Sequence, residues 1–521
     1  MDDIHPAVET GGQNVILIKR SHLQVTDYQW NDSRSLEFKF SVYNLGTREY
    51  EYKAMDWNGE TKTLYLPRGM DIRMVETLTR SKAVIDKSCD EWDKIGKVMI
   101  KYLPKNEIQQ KTIRFILGLG DYDYTAGYSQ LSINLMTGKG KTYVAIASMA
   151  YEETRFMVIT SIRGWLQQWA EKALEYTDFT PKNILNLTAP VITKILAGKL
   201  DLSGIKMVTS THSTLGDYAS KHGWDKIDLL FNALRIKYKI FDEAHLYFDS
   251  MSMIDFHSNT YKTLYLTASP YRSDDKENEI YRRYFEMVPS IELFDKERDA
   301  VTQYISVHFN SHPTPAEIMH CMNKYGLIKA RYIDYIIKRD CFWKLLYCCF
   351  FEAVVPNPGR TLMLTETNNV IPILKDWIES EFPEYRGHIG TFHGDSKPQE
   401  RAEAKQQWIV ITNRMCGGTC MDIPDLGLCF PVLVPTKSKV ITHQLFGRVG
   451  REGTTLTKFI YLDIVDEGFK KLKEFYSYRL PVFMKYATSC SRVIYKDNDL
   501  NAQFEKYYKE QQADWPFTIK L

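Results

Sequence analysis

The chain has 521 residues, of which 44% are apolar and 25% are charged, proportions that are ordinary for proteins with buried cores. Its 67 lysines and arginines stand against 65 acidic residues, so the net charge of +2 excludes a basic coat, and contact with nucleic acid must be local. No apolar run reaches the ~20 residues that span a bilayer, and the scattered cysteines without an apolar leader indicate a soluble protein in the reduced cytoplasm.

Residues 1–100 are predicted to form a small, mostly β accessory domain. Short β-branched and aromatic runs alternate with turn residues, and Asn58-Gly59 is a strong hairpin signal. We expect this domain either to grip duplex DNA or to act as a structural cap or partner-binding module.

Residues 101–298 change to strands that alternate with helical segments, which predicts βαβ units and a first parallel sheet. Polar residues follow the buried strands, and ligands bind beyond the carboxyl ends of parallel strands. One binding face could therefore collect the polar residues that follow the strands near 133, 156, 207, 238 and 264.

The stretch over 133–142 passes from an apolar run through two glycines into a helical segment. Backbone N–H groups in such a loop, with the positive end of a helix dipole, suit a phosphate. Lys141 would reach the β- and γ-phosphates, and the Thr142 hydroxyl would hold Mg²⁺. Leu135 stands where the usual phosphate-loop pattern has Gly or Ala.

Two adjacent carboxylates, Asp242 and Glu243, follow an apolar strand about a hundred residues after Lys141. Phosphoryl transfer to water needs a metal and a carboxylate that orients the water. Asp242 would hold Mg²⁺ and Glu243 would polarise the attacking water. An Asp-Glu pair by itself is common at helix N-termini and indicates no site. The apolar strand before this pair is what makes it evidence for a catalytic site.

A second series of strands and helices over 299–475 predicts a second parallel sheet, whose last strand is 459–463. Within it, Arg448 and Arg451 are three residues apart, so on a helix both would face the same phosphate. Residues 476–521 are predicted to form a C-terminal helical extension that packs on the core.

In this order, the motifs resemble those of superfamily 2 helicases and translocases of the DEAH-box type, over about residues 100–475. The phosphate loop, the Asp-Glu-Ala-His box at 242–245 and the Gln-x-x-Gly-Arg-x-x-Arg motif at 444–451 carry the resemblance. Leu135 in the loop and Cys420, where a glycine usually precedes the aspartate, depart from the family pattern, and neither removes a catalytic group.

The resemblance implies an α/β fold of two RecA-like parallel-sheet domains in tandem, with ATP and Mg²⁺ bound in the cleft between them. The residues implied for catalysis are Lys141, Asp242, Glu243, Arg448 and Arg451. Those implied for holding the nucleotide and its Mg²⁺ are Gln109, which would read adenine, together with Thr137, Gly138, Lys139, Gly140, Lys141, Thr142, Asp242 and Gln444. Coupling of nucleotide state to domain closure would fall on His245, Thr267 and Ser269, and nucleic-acid contacts on Thr160, Thr209, Thr365 and Thr412.

The compact chain and its β-rich start are most similar to viral and phage branch-migration helicases of the UvsW-like kind, with some resemblance to the poxvirus transcript-release helicase. We therefore expect an ATP hydrolase that remodels branched DNA in phage-type replication, recombination or repair, in the host cytoplasm if the protein is viral. Its expected partners are DNA junctions and replication, recombination or nuclease proteins. Two alternatives stay open: an RNA or transcript-release helicase, and a duplex-DNA translocase serving a nuclease or restriction partner. A non-catalytic clamp is a further hypothesis, but the five residues implied for catalysis are all present and argue against it.

Overall fold

The computed structural model describes residues 15–29, 36, 39–44, 49–52, 54–86, 92–136, 138–268, 275–419, 423–450 and 454–512. The predictions for Thr137, Ser269, Cys420 and Arg451 fall outside these residues. The chain forms two compact units, Met1–Leu293 and Phe294–Leu521. None of the described helices has the length and the apolar run needed to cross a bilayer.

The first unit begins with a small sheet. Its elements are β1 (Val15–Ile18), β2 (His22–Val25), β3 (Ser41–Asn44), β4 (Glu49–Tyr52), β5 (Asp56–Asn58), β6 (Thr63–Pro67), α1 (Ile72–Thr79) and β7 (Lys82–Ile85). Five strands pair in the order β5-β6-β2-β1-β7, and β3 and β4 form a separate hairpin. The hairpin predicted at Asn58 is confirmed, because Asn58 pairs with Thr63 across the turn.

This small sheet packs into the rest of the first unit. Leu23 and Leu66 belong to the same buried cluster as Phe248 and Tyr284. At Gly69 the two parts approach so closely that an added Cβ would lie 2.3 Å from the Tyr284 carbonyl oxygen. The contact leaves no room for a side chain at this position. A separate accessory domain over 1–100 stays a prediction.

A seven-stranded parallel sheet makes up most of the first unit. Its strands are β8 (Gln130–Asn134), β9 (Phe156–Thr160), β10 (Ile184–Asn186), β11 (Met207–Thr211), β12 (Tyr238–Asp242), β13 (Lys262–Thr267) and β14 (Ser290–Glu292). The helices are α2 (Glu107–Leu117), α3 (Lys141–Tyr151), α4 (Arg163–Tyr176), α5 (Ala189–Leu196), α6 (His212–His222), α7 (Asp225–Leu234), α8 (Phe248–Phe256) and α9 (Asp275–Tyr284). The strand order is β10-β11-β9-β12-β13-β8-β14. Strands such as β9 and β13 are buried along their whole length, as expected when helices cover both faces of a parallel sheet.

A fully buried ion pair links this sheet to a helix. Lys239 of β12 and Asp255 of α8 are both inaccessible to solvent, with Nζ and Oδ1 2.5 Å apart. Lys239 also donates to the carbonyl oxygen and the hydroxyl of Ser258, at 3.0 and 2.7 Å. The hydroxyls of Tyr265 and Tyr284 donate to the second Asp255 oxygen. These hydrogen bonds offset part of the cost of removing both charges from water.

The second unit contains another seven-stranded parallel sheet. Its strands are β15 (Thr302–Phe309), β18 (Arg360–Thr365), β19 (Ile389–Phe392), β20 (Ile409–Asn413), β21 (Leu426–Leu433), β22 (Phe459–Asp466) and β23 (Ser489–Ile494), and β16 (Met322–Asn323) and β17 (Gly326–Leu327) form a short hairpin. The strand order is β19-β20-β18-β21-β22-β15-β23. The helices are α10 (Lys296–Asp299), α11 (Pro315–Cys321), α12 (Lys329–Ile336), α13 (Asp340–Cys349), α14 (Val370–Glu381), α15 (Pro398–Lys405), α16 (Arg414–Thr419), α17 (Lys439–Phe446), α18 (Lys470–Tyr486) and α19 (Asp497–Gln512). The predicted tandem of two parallel-sheet units behind a small β sheet is confirmed.

The end of the second unit differs from its sequence prediction. The strand predicted as the last, over 459–463, is followed by β23, which pairs with β15 at the edge of the sheet. Every residue of β23 is exposed. Its sequence, Ser-Cys-Ser-Arg-Val-Ile, neither alternates between apolar and polar residues nor forms a continuous apolar run, so it does not predict a strand. The rings of Phe504 in α19 and Tyr347 in α13 lie 5.1 Å apart. A C-terminal helical extension over 476–521 stays a prediction.

Candidate functional site

The loop between β8 and α3 has the backbone of a phosphate-binding turn. Gly138 and Gly140 have φ values of 85° and 87°, which only glycine adopts readily. Gly140 is the residue before the first turn of α3, so the positive end of the helix dipole follows it directly. A Cβ on Gly140 would lie 2.5 Å from the Gln109 Nε2 atom. The left-handed conformation therefore favours glycine at this position, whereas the flexible end of the Gln109 side chain could shift to admit a Cβ.

Leu135, the off-pattern residue of this loop, is 2% exposed and belongs to the buried cluster that contains Tyr143 and Val144 of α3. Its N–H donates to the Thr267 carbonyl oxygen at 3.1 Å. The larger side chain is accommodated in the core and does not occupy the loop.

Gln109 lies against the loop. It is 3% exposed, and its Oε1 accepts a hydrogen bond from the Lys105 N–H at 2.9 Å. Asn106 caps the start of α2 by accepting from the Gln109 N–H at 3.0 Å. Both ends of the Gln109 residue are thus fixed beside Gly140. Adenine recognition by Gln109 stays a prediction.

The loop lysine and the strand-end carboxylates come together. Lys141 Nζ and Glu243 Oε1 are 3.0 Å apart, and the two side chains are 10% and 17% exposed. Glu243 has a φ of 51°, a left-handed conformation that is costly for a residue with a Cβ and that clusters at functional sites. The structure therefore joins two predicted catalytic residues that are far apart in the sequence.

Asp242 lies at the end of β12, beside a tryptophan that the sequence prediction did not assign to the site. The Trp169 indole N–H donates to Asp242 Oδ2 at 2.8 Å. Burial, followed by the negative charge of Glu243, raises the pKa of Asp242 to about 6, against the opposing effects of Lys141 and the Trp169 hydrogen bond. Removing the carboxylate from water thus leaves a charge that a nearby cation would stabilise.

The donor chemistry fits Mg²⁺. The Asp242 carboxylate and the half-buried Thr142 hydroxyl are oxygen donors, which Mg²⁺ prefers. In the described part of the chain, no group of three or more His, Cys, Asp and Glu side chains could hold a metal. Mg²⁺ usually needs no such group, because it takes one or two carboxylates together with substrate phosphates and water.

His245 connects the carboxylates to the next strand. Its Nδ1 lies 2.8 Å from the Thr267 hydroxyl and 3.4 Å from Glu243 Oε2. Thr267 ends β13 and is fully buried. These two predicted coupling residues are therefore in contact, and the third, Ser269, lies outside the described residues.

The four threonines predicted to contact nucleic acid are at most 2% exposed. Their hydroxyls donate to oxygens of the same unit at 2.8–3.2 Å; they are Thr160, Thr209, Thr365 and Thr412. The hydroxyls already have acceptors within the protein. Contact of these four threonines with nucleic acid stays a prediction.

A groove of about 490 Å³ lies at the ends of β10 and β11. Its polar and charged lining residues are Arg163, Gln167, Asn186, Thr188, Thr209, Thr211, Ser213, Thr214, Asp217, Lys221 and His222. Two basic side chains with amides and hydroxyls can hold phosphates, whereas Asp217 opposes an anion. Thr209 is a predicted nucleic-acid contact, and the family resemblance implies such contacts over about 160–169 and 209–212, the first of which includes Arg163. Lys221 lies outside these ranges and has no signal in the sequence.

In the second unit, Gln444 lies on α17 and Arg448 follows the helix, and each is 8% exposed. The prediction that the two motif arginines share one helical face is not met, because α17 ends at Phe446 and Arg448 lies in the turn after it. Glycines at 447 and 450 disfavour continuation of the helix, and Gly450 has a φ of 74°. Arg451 lies outside the described residues.

Residues 102–272 match the family model described as Type III restriction enzyme, res subunit. No curated protein matches the chain. A fragment from Vibrio vulnificus YJ016, described as an HsdR subunit of a type I restriction enzyme, has a TM-score of 0.50 at 13% identity, covering 88% of this chain and 78% of its own.

Two further solved structures are similar. S. cerevisiae Dbp5 bound to RNA and ADP BeF3 has a TM-score of 0.47 at 17% identity, covering 78% of this chain and 93% of its own. T4 UvsW has a TM-score of 0.35 at 14% identity, covering 92% and 99%. The HsdR fragment shares the fold of this chain, and the residues that match the family model lie within the first unit.

Proposed function

We propose that this protein is an ATP-dependent DNA helicase or translocase that remodels branched DNA. The observation that carries the proposal is the contact between Lys141 and Glu243, which joins a glycine loop suited to phosphate with a carboxylate suited to orienting water. This contact lies inside the segment that matches the restriction-enzyme family model, 102–272. ATP hydrolysis and nucleic-acid translocation are the activities that these features support together.

In the proposed reaction, the loop N–H groups and Lys141 hold the β- and γ-phosphates, and Glu243 orients the attacking water. Bound Mg²⁺ would supply positive charge to the phosphate oxygens, held through Asp242 and Thr142. Arg448, with Arg451, would stabilise the charge that develops on the transferred phosphoryl group. Thr137, Lys139 and Gln444 would complete the nucleotide contacts that the sequence resemblance implies.

Coupling of hydrolysis to movement is proposed for His245 and Thr267. Their contact joins the end of β13 to the loop that carries Glu243. If a change at the γ-phosphate displaces Glu243, the displacement can therefore reach β13 through His245 and Thr267. Ser269 is proposed to act with them.

DNA is proposed over RNA because the family match names a restriction enzyme, a class that acts on DNA. The same match supports a second candidate, a duplex-DNA translocase that serves a nuclease or restriction partner without separating strands. The groove with Arg163 and Lys221 is proposed as a strand contact in either case.

The function is tested by measuring ATP turnover with a four-way DNA junction, linear duplex DNA, single-stranded DNA and single-stranded RNA at one fixed salt concentration. We expect the junction to stimulate most and to be converted to separated or exchanged arms. Equal stimulation by linear duplex without strand separation would favour the translocase. Stimulation by RNA alone would contradict the proposal.

Replacing Arg163 or Lys221 with alanine should weaken DNA binding and lower the salt dependence. Each lost phosphate contact should reduce the slope of log K against log salt by about 0.7–0.9. Lys172→Ala is the matched control, because Lys172 is on α4, is exposed, pairs with Glu175 at 2.7 Å and does not line the groove. An equal loss in the control would show that the groove is not the contact surface.

A further inference from the structure

Helix α4 presents different residues to the groove and to the core. Arg163, Leu166, Gln167 and Ala170 line the groove, at the spacing of one helical face. Trp165, Trp169 and Ala173 are buried, with Trp169 2% exposed. One rigid element therefore touches both the proposed strand contact and the interior of the unit.

The buried face reaches the nucleotide site through one side chain. Trp169 donates its indole N–H to Asp242 Oδ2 at 2.8 Å, and it shares a buried cluster with Tyr143 and Val144 of α3. Helix α4 also packs on α3, β9 and β11. The helix that lines the groove is thus hydrogen-bonded to the carboxylate proposed to hold Mg²⁺.

From this contact we infer that Trp169 is a positioning residue that couples occupancy of the groove to the hold of Asp242 on Mg²⁺, an inference that rests on the proposed function. An indole N–H fixes the orientation of one carboxylate oxygen. Because hydrogen bonds fail beyond about 3.5 Å, a shift of α4 by roughly 0.7 Å along the bond releases Asp242. DNA bound in the groove that displaces α4 can therefore change how Asp242 holds Mg²⁺. By reciprocity, binding of Mg²⁺ with nucleotide changes the affinity of the groove for DNA.

A buried tryptophan with a satisfied N–H could also be only structural, since buried donors normally find an acceptor. The two roles make different predictions. A structural indole can be replaced by an aromatic ring without altering communication between sites, whereas a coupling indole cannot. The chain offers a matched control in Trp165, which is on the same helix and is 5% exposed.

The test compares Trp169→Phe with Trp165→Phe and the wild type in the full chain. Affinity for a non-hydrolysable ATP analogue is measured with and without Mg²⁺, and with and without single-stranded DNA. In Trp169→Phe we expect the Mg²⁺-dependent gain in affinity to fall roughly tenfold or more, as for a lost hydrogen bond to a charged group. In the same variant, the ratio of the Mg²⁺-dependent gain with DNA to the gain without DNA should approach one. Trp165→Phe should keep the wild-type gain and the wild-type ratio.

Equal behaviour of the two variants would overturn the inference. A second measurement uses the unaltered chain, in which the Trp169 indole N–H resonance should shift both when the Mg²⁺ complex of the analogue is added and when DNA is added. If the resonance fails to shift on one or both additions, the inference is also contradicted. If the wild type binds neither nucleotide nor DNA, the proposed function fails and the role of Trp169 falls with it.

Discussion

Replacing Glu243 with glutamine is expected to lower ATP turnover by roughly 10²- to 10⁴-fold, the contribution of a positioned general base, while the chain still binds ATP. Glutamine has nearly the same shape, and its amide oxygen can still accept from Lys141, which lies 3.0 Å from Glu243 Oε1. It cannot take a proton from water. Turnover and nucleotide affinity measured on the same preparation separate these two effects.

The matched control for this variant is Glu175→Gln. Glu175 is exposed on α4 and pairs with Lys172 at 2.7 Å, away from the loop and the strand-end carboxylates. Its replacement should leave turnover unchanged. Normal hydrolysis by Glu243→Gln would show that another group orients the water, and loss of ATP binding would assign Glu243 to the phosphate cradle.

Replacing Lys239 with methionine is expected to lower the free energy of unfolding by about 3–5 kcal/mol, the usual cost of leaving one partner of a buried ion pair uncompensated. Lys239 and Asp255 are both fully buried, so without Lys239 the Asp255 carboxylate would rely on the neutral donors Tyr265 and Tyr284. Urea unfolding of the full chain, followed by tryptophan fluorescence, measures the loss.

The double variant Lys239→Met, Asp255→Leu tests the reason for this loss. Replacing both members of a buried pair with apolar residues is often nearly neutral, so the double variant should recover part of the lost stability. The two tyrosine hydroxyls would lose their acceptor, which limits the recovery. A double variant that is less stable than the single variant would mean that the charge of Lys239 is not what matters.

Strands buried on both faces were predictable from sequence, because continuous apolar runs identify them. β9 is such a strand, and it ends within one residue of its prediction. In β12 the buried Lys239 interrupts the apolar run, so there the residues on either side of it carry the signal. β23 was not predictable, since Ser-Cys-Ser-Arg-Val-Ile neither alternates nor forms a continuous apolar run. The end of α17 was missed because helical spacing was extended through Gly447, a residue that disfavours helix.

The glycine loop and the acidic pair of the candidate ATPase site in the first unit were also predictable from the sequence. A glycine loop before a helix and an acidic pair after a buried strand are local signals, and the structure joins them through Lys141 and Glu243. The Trp169 contact with Asp242 spans 73 residues and has no local signal. Burial of the predicted threonine hydroxyls could not be foreseen either, because it depends on which neighbours offer acceptors.

The place of β15 in the second sheet has a consequence for synthesis on the ribosome. β15 is made early in its unit, yet its neighbours are β22 and β23, so that Gln303 pairs with Ile460 and Ser489. From Gln303 to Ile460 is 157 residues (460 − 303). At about 5–20 residues per second, this strand waits roughly 8–30 s for its first partner. Meanwhile its eight residues present unpaired backbone groups on both edges, which invites pairing with other chains. The second unit is therefore expected to complete its sheet only after most of its chain has left the ribosome.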